Sequence, residues 1–245
     1  MRAARLAGHA ALGALGAWVA YAWLPHLATL AALRRGPATR RQVALTFDDG
    51  PDPAWTPRVL ALLAARGVPA TFFLVGRRAA RHPELVRAIA AAGHEVANHS
   101  WSHRSLWLLG PRRTDEEIGR AHLLLGELAG RPPRFFRPPW GMVNAAMFAA
   151  LRRHGERCVL WSLQPEGLRP RPPAAQVRTV LRGAHPGAIV DLHDAEGLPG
   201  APARLMAALP AIVDGLRAAG YALTTVGALL EPAAPGPAPH PDARG

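Results

Sequence analysis

Two adjacent carboxylates, Asp48 and Asp49, follow a short apolar run at residues 43–47 that predicts a buried strand. Because a glycine and a proline come next, the pair is also compatible with a simple turn. Beyond the end of a strand, both side chains can turn into one pocket. There one carboxylate can bind a metal ion while the other accepts a proton. The pair is therefore the first candidate catalytic cluster.

Two histidines, His99 and His103, stand four residues apart, so both imidazoles can reach one ion from the same side of a helical turn. Imidazole suits zinc and similar divalent metals. Two histidines and one aspartate are also a ligand set of catalytic zinc sites, with one position left for water. In a chain with 11 histidines such a pair can also arise by chance.

Two further clusters follow along the chain. Arg137 precedes two prolines and Trp140, so its backbone is held rigidly, either for a site or only for a structural loop. His193 and Asp194 end another predicted strand, and a histidine with an ordinary pKa of about 6.5 can act as a general acid. All four clusters fall at the C-terminal ends of predicted strands, the face where α/β barrels build active sites.

From residue 42 onward, strand-like and helix-like stretches alternate, which predicts an α/β fold with a parallel sheet. The predicted strands are residues 43–47, 70–75, 95–97, 134–137, 157–163, 188–192 and 221–223. The predicted helices are residues 56–66, 83–92, 114–129, 145–154, 174–182 and 202–219. Thr114 and Glu117 form a sequence pattern typical of a capping box, and Asn144 is a second predicted helix cap.

Residues 6–33 carry no acidic residue, arginine or lysine and are long enough for a membrane span, which needs roughly 20 apolar residues. A cleaved signal peptide, with a small-x-small site at residues 20–22, and a buried helix are the alternatives. A membrane span or a cleaved signal peptide would place the protein in the membrane or outside the cytoplasm. The four arginines among residues 34–41 argue mildly against export, because positive flanks prefer the cytoplasm.

These features divide the chain into three parts. Residues 1–41 form a hydrophobic anchor or signal with a basic linker, and residues 42–230 form the catalytic domain. Residues 231–245, rich in proline, alanine and glycine, form a disordered tail. The lone Cys158 excludes a disulfide within the chain. We expect a monomer.

The formal net charge is +12, and every basic residue is an arginine. This charge is compatible with contact with an anionic membrane or cell-wall polymer, although a biased genome is the preferred explanation. Because no arginine-rich block is interleaved with aromatic residues, the sequence gives no support for nucleic-acid binding.

Taken together, the motifs resemble those of the polysaccharide deacetylases of carbohydrate esterase family 4, the NodB-homology domain. They occur in the family's order as Thr-Phe-Asp-Asp-Gly at 46–50, Asn-His-Ser-Trp-Ser-His at 98–103, Arg-Pro-Pro-Trp-Gly at 137–141 and Leu-His-Asp at 192–194. The resemblance covers residues 42–230. It implies a distorted (β/α)7 TIM-like barrel, here preceded by the N-terminal hydrophobic helix.

The resemblance also implies roles for the first two clusters. Asp49, His99 and His103 would hold a divalent metal, usually zinc. Asp48 would be the base that deprotonates the attacking water, and Arg137 would orient Asp48 through a charge-assisted hydrogen bond.

For the remaining clusters, the resemblance implies that the backbone N–H of Trp140 stabilises the oxyanion and that His193 protonates the leaving amine. The substrates implied are N-acetylglucosamine polymers of the cell envelope. We therefore expect a membrane-anchored or exported deacetylase with its catalytic domain outside the cytoplasm. The alternatives are a deacylase of the same fold acting on another amide or a glycolipid, and a catalytically weak carbohydrate-binding relic.

Two departures from the family pattern concern the last cluster. The fourth motif, Asp-x-x-Asp-Trp, is replaced at its three defining positions by Gln164, Gly167 and Leu168. The resemblance implies that the second of those aspartates supports the catalytic histidine. At residue 191 an aspartate stands where the family has an apolar residue of the acetyl pocket.

These departures suggest a compensation. Residues i and i+2 of a strand share a face, so Asp191 is expected beside His193. We hypothesise that Asp191 or Glu166 replaces the missing aspartate and keeps His193 protonated.

Overall fold

The computed structural model describes residues 2–25, 32–167, 169–197 and 199–231. Leu168 and nearly all of the predicted disordered tail lie outside the described residues, so the structure does not test those two predictions.

The protein has an α/β fold in which parallel strands form a half-barrel, which confirms the predicted α/β class with a parallel sheet. The strands are β1 Gln42–Asp48, β2 Thr71–Leu74, β3 Glu95–Asn98, β4 Phe135–Phe136, β5 Arg157–Cys158, β6 Ala188–His193 and β7 Ala222–Thr224. The α-helices are α1 Arg2–Trp18, α2 Thr56–Ala65, α3 Gly76–Ala79, α4 Pro83–Ala91, α5 Pro111–Ala129, α6 Ala145–His154, α7 Pro173–Gly183, α8 Ala201–Ala218 and α9 Val226–Leu230. A π-helical turn covers Val19–Trp23, and 3₁₀ turns cover Leu106–Leu108 and Pro139–Gly141.

Strand β1 lies next to the end of the sheet, whose order is β5-β4-β3-β2-β1-β6, and it also pairs with β7. On one side β1 pairs with β6 along most of its length, which places Asp48 opposite His193. On the other side its first residues pair with β7 and its last residues pair with β2. Two of the four predicted clusters are therefore neighbours in the sheet register.

The alternation of side chains along β1 and β6 decides which residues face the site. In β1, Val43, Leu45 and Phe47 pack into the large core between sheet and helices, whereas Ala44 packs into the smaller inner cluster. Because side chains alternate along a strand, Asp48 lies on the same inner face as Ala44. Strand β6 repeats the pattern and turns Asp191 inward with His193. The same-face prediction for these two residues agrees with this register.

Short segments bridge the gap between β5 and β6. Leu33 pairs with Val159, and Leu163 pairs in parallel with Val190. The prediction of one strand over residues 157–163 was therefore too long. The chain leaves β5 after Cys158, and Leu160 donates its N–H to the carbonyl of Leu33 at 2.8 Å. This path brings the altered fourth motif alongside β6.

The predicted capping box at Thr114 was wrong. Helix α5 begins at Pro111, since proline is favoured at the first helical position. The buried Thr114 hydroxyl donates to the Gly110 carbonyl at 3.0 Å. Glu117 instead accepts hydrogen bonds from Ser102. The predicted cap at Asn144 is confirmed, because its side chain accepts from the backbone N–H of Met147.

The N-terminal helix α1 and the π-helical turn contact the loop that follows β3. The Trp18 indole donates to the carbonyl of Trp107 at 3.1 Å, and the Tyr21 hydroxyl donates to that of Leu109 at 3.0 Å. Within the described part of the chain, no helix combines the length and the apolar composition that a membrane span requires.

Candidate active site

The C-terminal ends of the strands open into one pocket of about 350 Å³. Every side chain that the sequence singled out for the metal site, the base and the acid lines this pocket: Asp48, Asp49, His99, His103, Glu166, Asp191 and His193. Residues up to 145 positions apart in the sequence thus meet at one end of the sheet, as the strand-end argument predicted.

Arg137 is fully buried and connects two carboxylates of the pocket. Its Nη1 donates to Asp48 Oδ1 at 2.6 Å, to Asp191 Oδ1 at 3.1 Å and to Thr46 Oγ1 at 2.8 Å. Burial raises the pKa of Asp48, although the positive charge of Arg137 partly offsets this rise. The guanidinium therefore fixes the position of the Asp48 carboxylate without suppressing its basicity altogether.

Asp49, His99 and His103 bring one ligand atom each within 4.8 Å of one another. The Asp49 Oδ1 atom lies 2.9 Å from His103 Nε2 and 3.5 Å from His99 Nε2. This oxygen is buried, yet it has no partner in hydrogen-bond geometry within the described structure. The carboxylate oxygen and the two imidazole nitrogens face one another without the alignment of a hydrogen bond. This arrangement fits a cation shared by the three atoms.

The backbone around these ligands adopts conformations that non-glycine residues rarely take. The φ angles are +73° at Asp49, +65° at Ser100 and +61° at His103. Such left-handed conformations persist only where the surroundings enforce them, and they cluster at functional sites. The His99 ring is fixed further, because its Nδ1 lies 2.7 Å from the carbonyl oxygen of Arg137. When Nδ1 carries the proton of this hydrogen bond, the Nε2 lone pair faces the site.

Polar side chains behind the metal-ligand loop hold it in place. Asn98 accepts from the N–H of Ser100 at 2.9 Å and donates to the buried Glu156 at 2.9 Å. Glu117 accepts from both the N–H and the hydroxyl of Ser102, at 2.7 and 2.6 Å. The sequence analysis gave Asn98 no role within its motif, missed Glu156 and assigned Glu117 to a cap, since the bonds to Glu156 and from Ser102 join segments distant in sequence.

The structure distinguishes between the two candidates for support of His193. Glu166 Oε2 lies 2.5 Å from His193 Nδ1, whereas Asp191 bonds to Arg137 and, at 3.2 Å, to the Gln164 amide. Burial alone would lower the pKa of His193. The charge of Asp191 and the hydrogen bond to Glu166 reverse that effect and raise this pKa well above its usual value.

Asp194 does not line the pocket, although the sequence grouped it with His193. It is fully buried, and its Oδ2 accepts from the Thr56 hydroxyl at 2.5 Å. Burial raises its pKa to about 7. We assign it to the framework beneath the site.

Trp140 stands at the rim of the pocket, where the residue is 54 % exposed. Its ring centroid lies 5.4 Å from that of His103, and its own φ is +61°. Trp161 and Met142 also line the pocket, and neither was singled out from the sequence. Apolar side chains in loops carry no spacing signal that could have identified them.

Gly197, in the loop after β6, was also missed. A Cβ atom at this position would lie 2.6 Å from Asp49 Oδ2. The loop therefore approaches the Asp49 carboxylate so closely that only glycine fits without a shift of the neighbouring atoms.

The model of the family described as polysaccharide deacetylase matches residues 35–159, about half of the chain. The chain belongs to the polysaccharide deacetylase family. This membership confirms the predicted family and enzyme class.

Similar proteins include a peptidoglycan-N-acetylglucosamine deacetylase of Bacillus cereus. It is 36% identical over 200 residues, which cover 79% of this chain and 90% of the relative. A chitooligosaccharide deacetylase of Bradyrhizobium is 41% identical over 63% of this chain and 71% of its own length. A solved structure of a peptidoglycan N-acetylglucosamine deacetylase superposes with a TM-score of 0.77 at 31% identity, covering 82% of this chain and 92% of the other.

Proposed function

We propose that this deacetylase removes N-acetyl groups from an N-acetylglucosamine-containing glycan of the cell envelope. The observation that carries the proposal is the meeting of an Asp-His-His ligand set, a buried base and a carboxylate-supported histidine in one pocket. The deacetylase activities named for the two sequence relatives support the choice of substrate.

The chemistry of the donor set fits a divalent metal held by Asp49, His99 and His103. Zinc is our choice, because two imidazoles and one carboxylate form a set that zinc takes in hydrolytic enzymes. When bound there, such an ion would polarise the acetyl carbonyl and acidify water as a Lewis acid. The buried and unbonded Asp49 Oδ1 supports this assignment.

Asp48 is the proposed general base. Arg137 holds one of its oxygens at 2.6 Å, while Oδ2 lies 3.7 Å from His99 Nε2 and so faces the ligand group. From that position Asp48 can take the proton of a water molecule that attacks the acetyl carbonyl. Its raised pKa makes it a stronger base than an exposed aspartate, which favours the transfer.

His193 is the proposed general acid, with Glu166 in the supporting role. Because Nδ1–H donates to Glu166, Nε2 of the protonated ring carries the proton that the leaving amine receives. We infer that Glu166 supports His193, the role that the family resemblance gives to the missing aspartate. Asp191 contributes negative charge from the same face of β6.

Trp140 is the proposed oxyanion donor through its backbone N–H, since its turn lies at the pocket rim beside His103. The polar Asp191 in the pocket wall supports a second candidate, deacylation of an amide whose acyl group carries a hydrogen-bond donor. A panel of N-acyl glucosamine oligomers separates the two. Preference for an acyl group other than acetyl would favour the second candidate.

Four further expectations remain proposals. We propose that the strands complete a distorted (β/α)7 barrel and that residues 42–230 fold as its domain. We propose that the N-terminal segment attaches the protein to a membrane, with the catalytic domain outside the cytoplasm. The exposure of Leu12, Leu15 and Trp23 supports the attachment. Protease digestion of intact cells tests the orientation.

The test of function is acetate release from an N-acetylglucosamine pentamer and from purified peptidoglycan, with the metal content of the protein measured in parallel. We expect release that chelation abolishes and zinc restores. Protein that binds the pentamer and metal but releases no acetate would be the carbohydrate-binding relic, and the proposal would fail.

A further inference from the structure

A second cavity, of about 220 Å³, lies beside the loop that carries the metal ligands. The loop separates the two spaces: His103 lines the catalytic pocket, whereas its neighbours Trp101 and Arg104 line the second cavity. Helix α5 supplies the opposite wall, including Arg113 and Arg120. No role in the deacetylation described above is assigned to this cavity.

The second cavity carries excess positive charge. Of its two carboxylates, Glu116 pairs with Arg112 at 2.9 Å, whereas Glu117 accepts hydrogen bonds from the neutral Ser102 and keeps its negative charge. Its three arginines take part in none of the ion pairs found among the described residues, namely Arg104, Arg113 and Arg120. Three unpaired guanidinium groups thus outnumber the one carboxylate without a cationic partner, and this excess of positive charge suits an anionic ligand.

One of the three guanidinium groups is held in position before any ligand arrives. The Arg120 Cζ atom lies 3.6 Å from the centroid of the Trp101 ring. The same ring packs against α3, where a Cβ atom at Gly76 would lie 2.6 Å from Trp101 Cε3. Stacking on a fixed aromatic ring orients the guanidinium while its N–H edges stay available. Less rotamer freedom is then lost on binding.

We propose that this cavity is a subsite for an anionic group, a phosphate or a carboxylate, carried by the glycan near the sugar that is deacetylated. Arginine suits both anions, because its planar N–H groups match their oxygen atoms. The subsite rests on the proposed function. The shared loop gives a reason to assign the anion to the substrate, since one polymer lying across the loop contacts both spaces.

The test compares three N-acetylglucosamine pentamers: a neutral one, one phosphorylated at C6 of a sugar, and one oxidised to a uronate at the same carbon. Each charged pentamer is prepared in two forms, with the substituent on the sugar at one end or at the other. At low salt we expect KM for a charged pentamer about tenfold below that for the neutral one, with similar kcat. The phosphate and uronate arms show which anion the cavity prefers.

The double substitution Arg104→Gln/Arg113→Gln should remove this advantage and leave the neutral pentamer unaffected. The double substitution Arg87→Gln/Arg178→Gln is the matched control, because both arginines are exposed on other helices, line neither cavity and take part in none of the ion pairs found among the described residues. The proposal is overturned if wild-type protein treats all pentamers alike, or if this control variant loses the advantage equally.

Two further measurements distinguish a failure of the proposed function from a failure of the proposed subsite. If no pentamer is deacetylated, the proposed function fails, and calorimetric binding of the charged and neutral pentamers still decides the subsite. Binding to phosphatidylglycerol vesicles is measured with the same variants. Loss of vesicle binding in the double variant, without any preference for charged pentamers, would assign the arginines to a lipid surface and overturn the glycan subsite.

Discussion

The two sides of the catalytic pocket are built in different ways. On the ligand side, Asp49, His99 and His103 stand in uninterrupted motifs, and left-handed backbone fixes two of them. On the acid side, His193 receives its support from Glu166, which stands one position before the expected place. A shared ion requires fixed backbone positions, whereas a proton is held by any carboxylate within hydrogen-bond reach. The acid side therefore tolerates a rearranged motif.

The largest expected effects divide Asp48 from Asp49. Asp48→Asn should retain the metal and lose roughly 10²–10⁴-fold in kcat, because proton transfer to the base is lost. Asp49→Asn should lose metal itself. Acetate-release kinetics and elemental analysis of each variant provide the readout. Equal metal content in both variants would contradict the division of roles.

The next effect concerns Glu166. The raised pKa of His193 keeps the acid protonated to higher pH, so activity declines only as pH rises through that pKa. Glu166→Gln removes the charge and should move the alkaline limb of the kcat profile down by roughly one to two pH units. Unaltered pH dependence would show that Glu166 does not support the acid.

A rescue experiment sharpens this prediction. Gly167 occupies the position of the missing aspartate, and a Cβ atom there meets nothing closer than Arg171 Nε at 3.7 Å. In the Glu166→Gln background, Gly167→Asp should move the alkaline limb back up and restore part of the activity. If the double variant recovers neither the alkaline limb nor activity, although circular dichroism shows intact folding, the path of the backbone and not the charge decides the support of His193.

Asp191→Asn should have a smaller effect, since no hydrogen bond joins residue 191 to His193. Burial raises the pKa of Asp191 to about 6, so its charge supports the imidazolium only above that pH. Asparagine can still accept from Arg137. We expect the alkaline limb to move down by roughly half a unit, with little change below pH 6. A shift as large as that of Glu166→Gln would reverse the ranking of the two supports.

The smallest effect compares two glycines on opposite sides of the pocket. Gly197→Ala should displace the Asp49 carboxylate and weaken metal affinity by about tenfold, with activity recovered by added zinc. Gly167→Ala has room for its methyl group and should change neither quantity. Titration with zinc at fixed substrate measures both. Equal zinc affinity and equal activity of the two variants would argue against the close approach of residue 197 to Asp49.

Much of the fold and the ligand side of the site was predictable, because strand ends, glycine positions and the spacing of His99 and His103 are local features. The start of α5 was not, since Glu117 bonds to Ser102 instead of closing a capping box. The helix propensity of a segment depends only on that segment's own residues. It does not include a hydrogen-bond partner such as Ser102, which another loop supplies.

The sequence by itself determined the chemical groups of the site, their order along the chain and their placement at strand ends. It narrowed the support of His193 to two carboxylates without choosing between them. Only the tertiary structure decided that choice, because the pairing of residue 163 with β6 carries Glu166 to His193 while Arg137 holds Asp191. Hydrogen bonding depends on distances of a few tenths of an ångström, and those distances arise only when the chain folds.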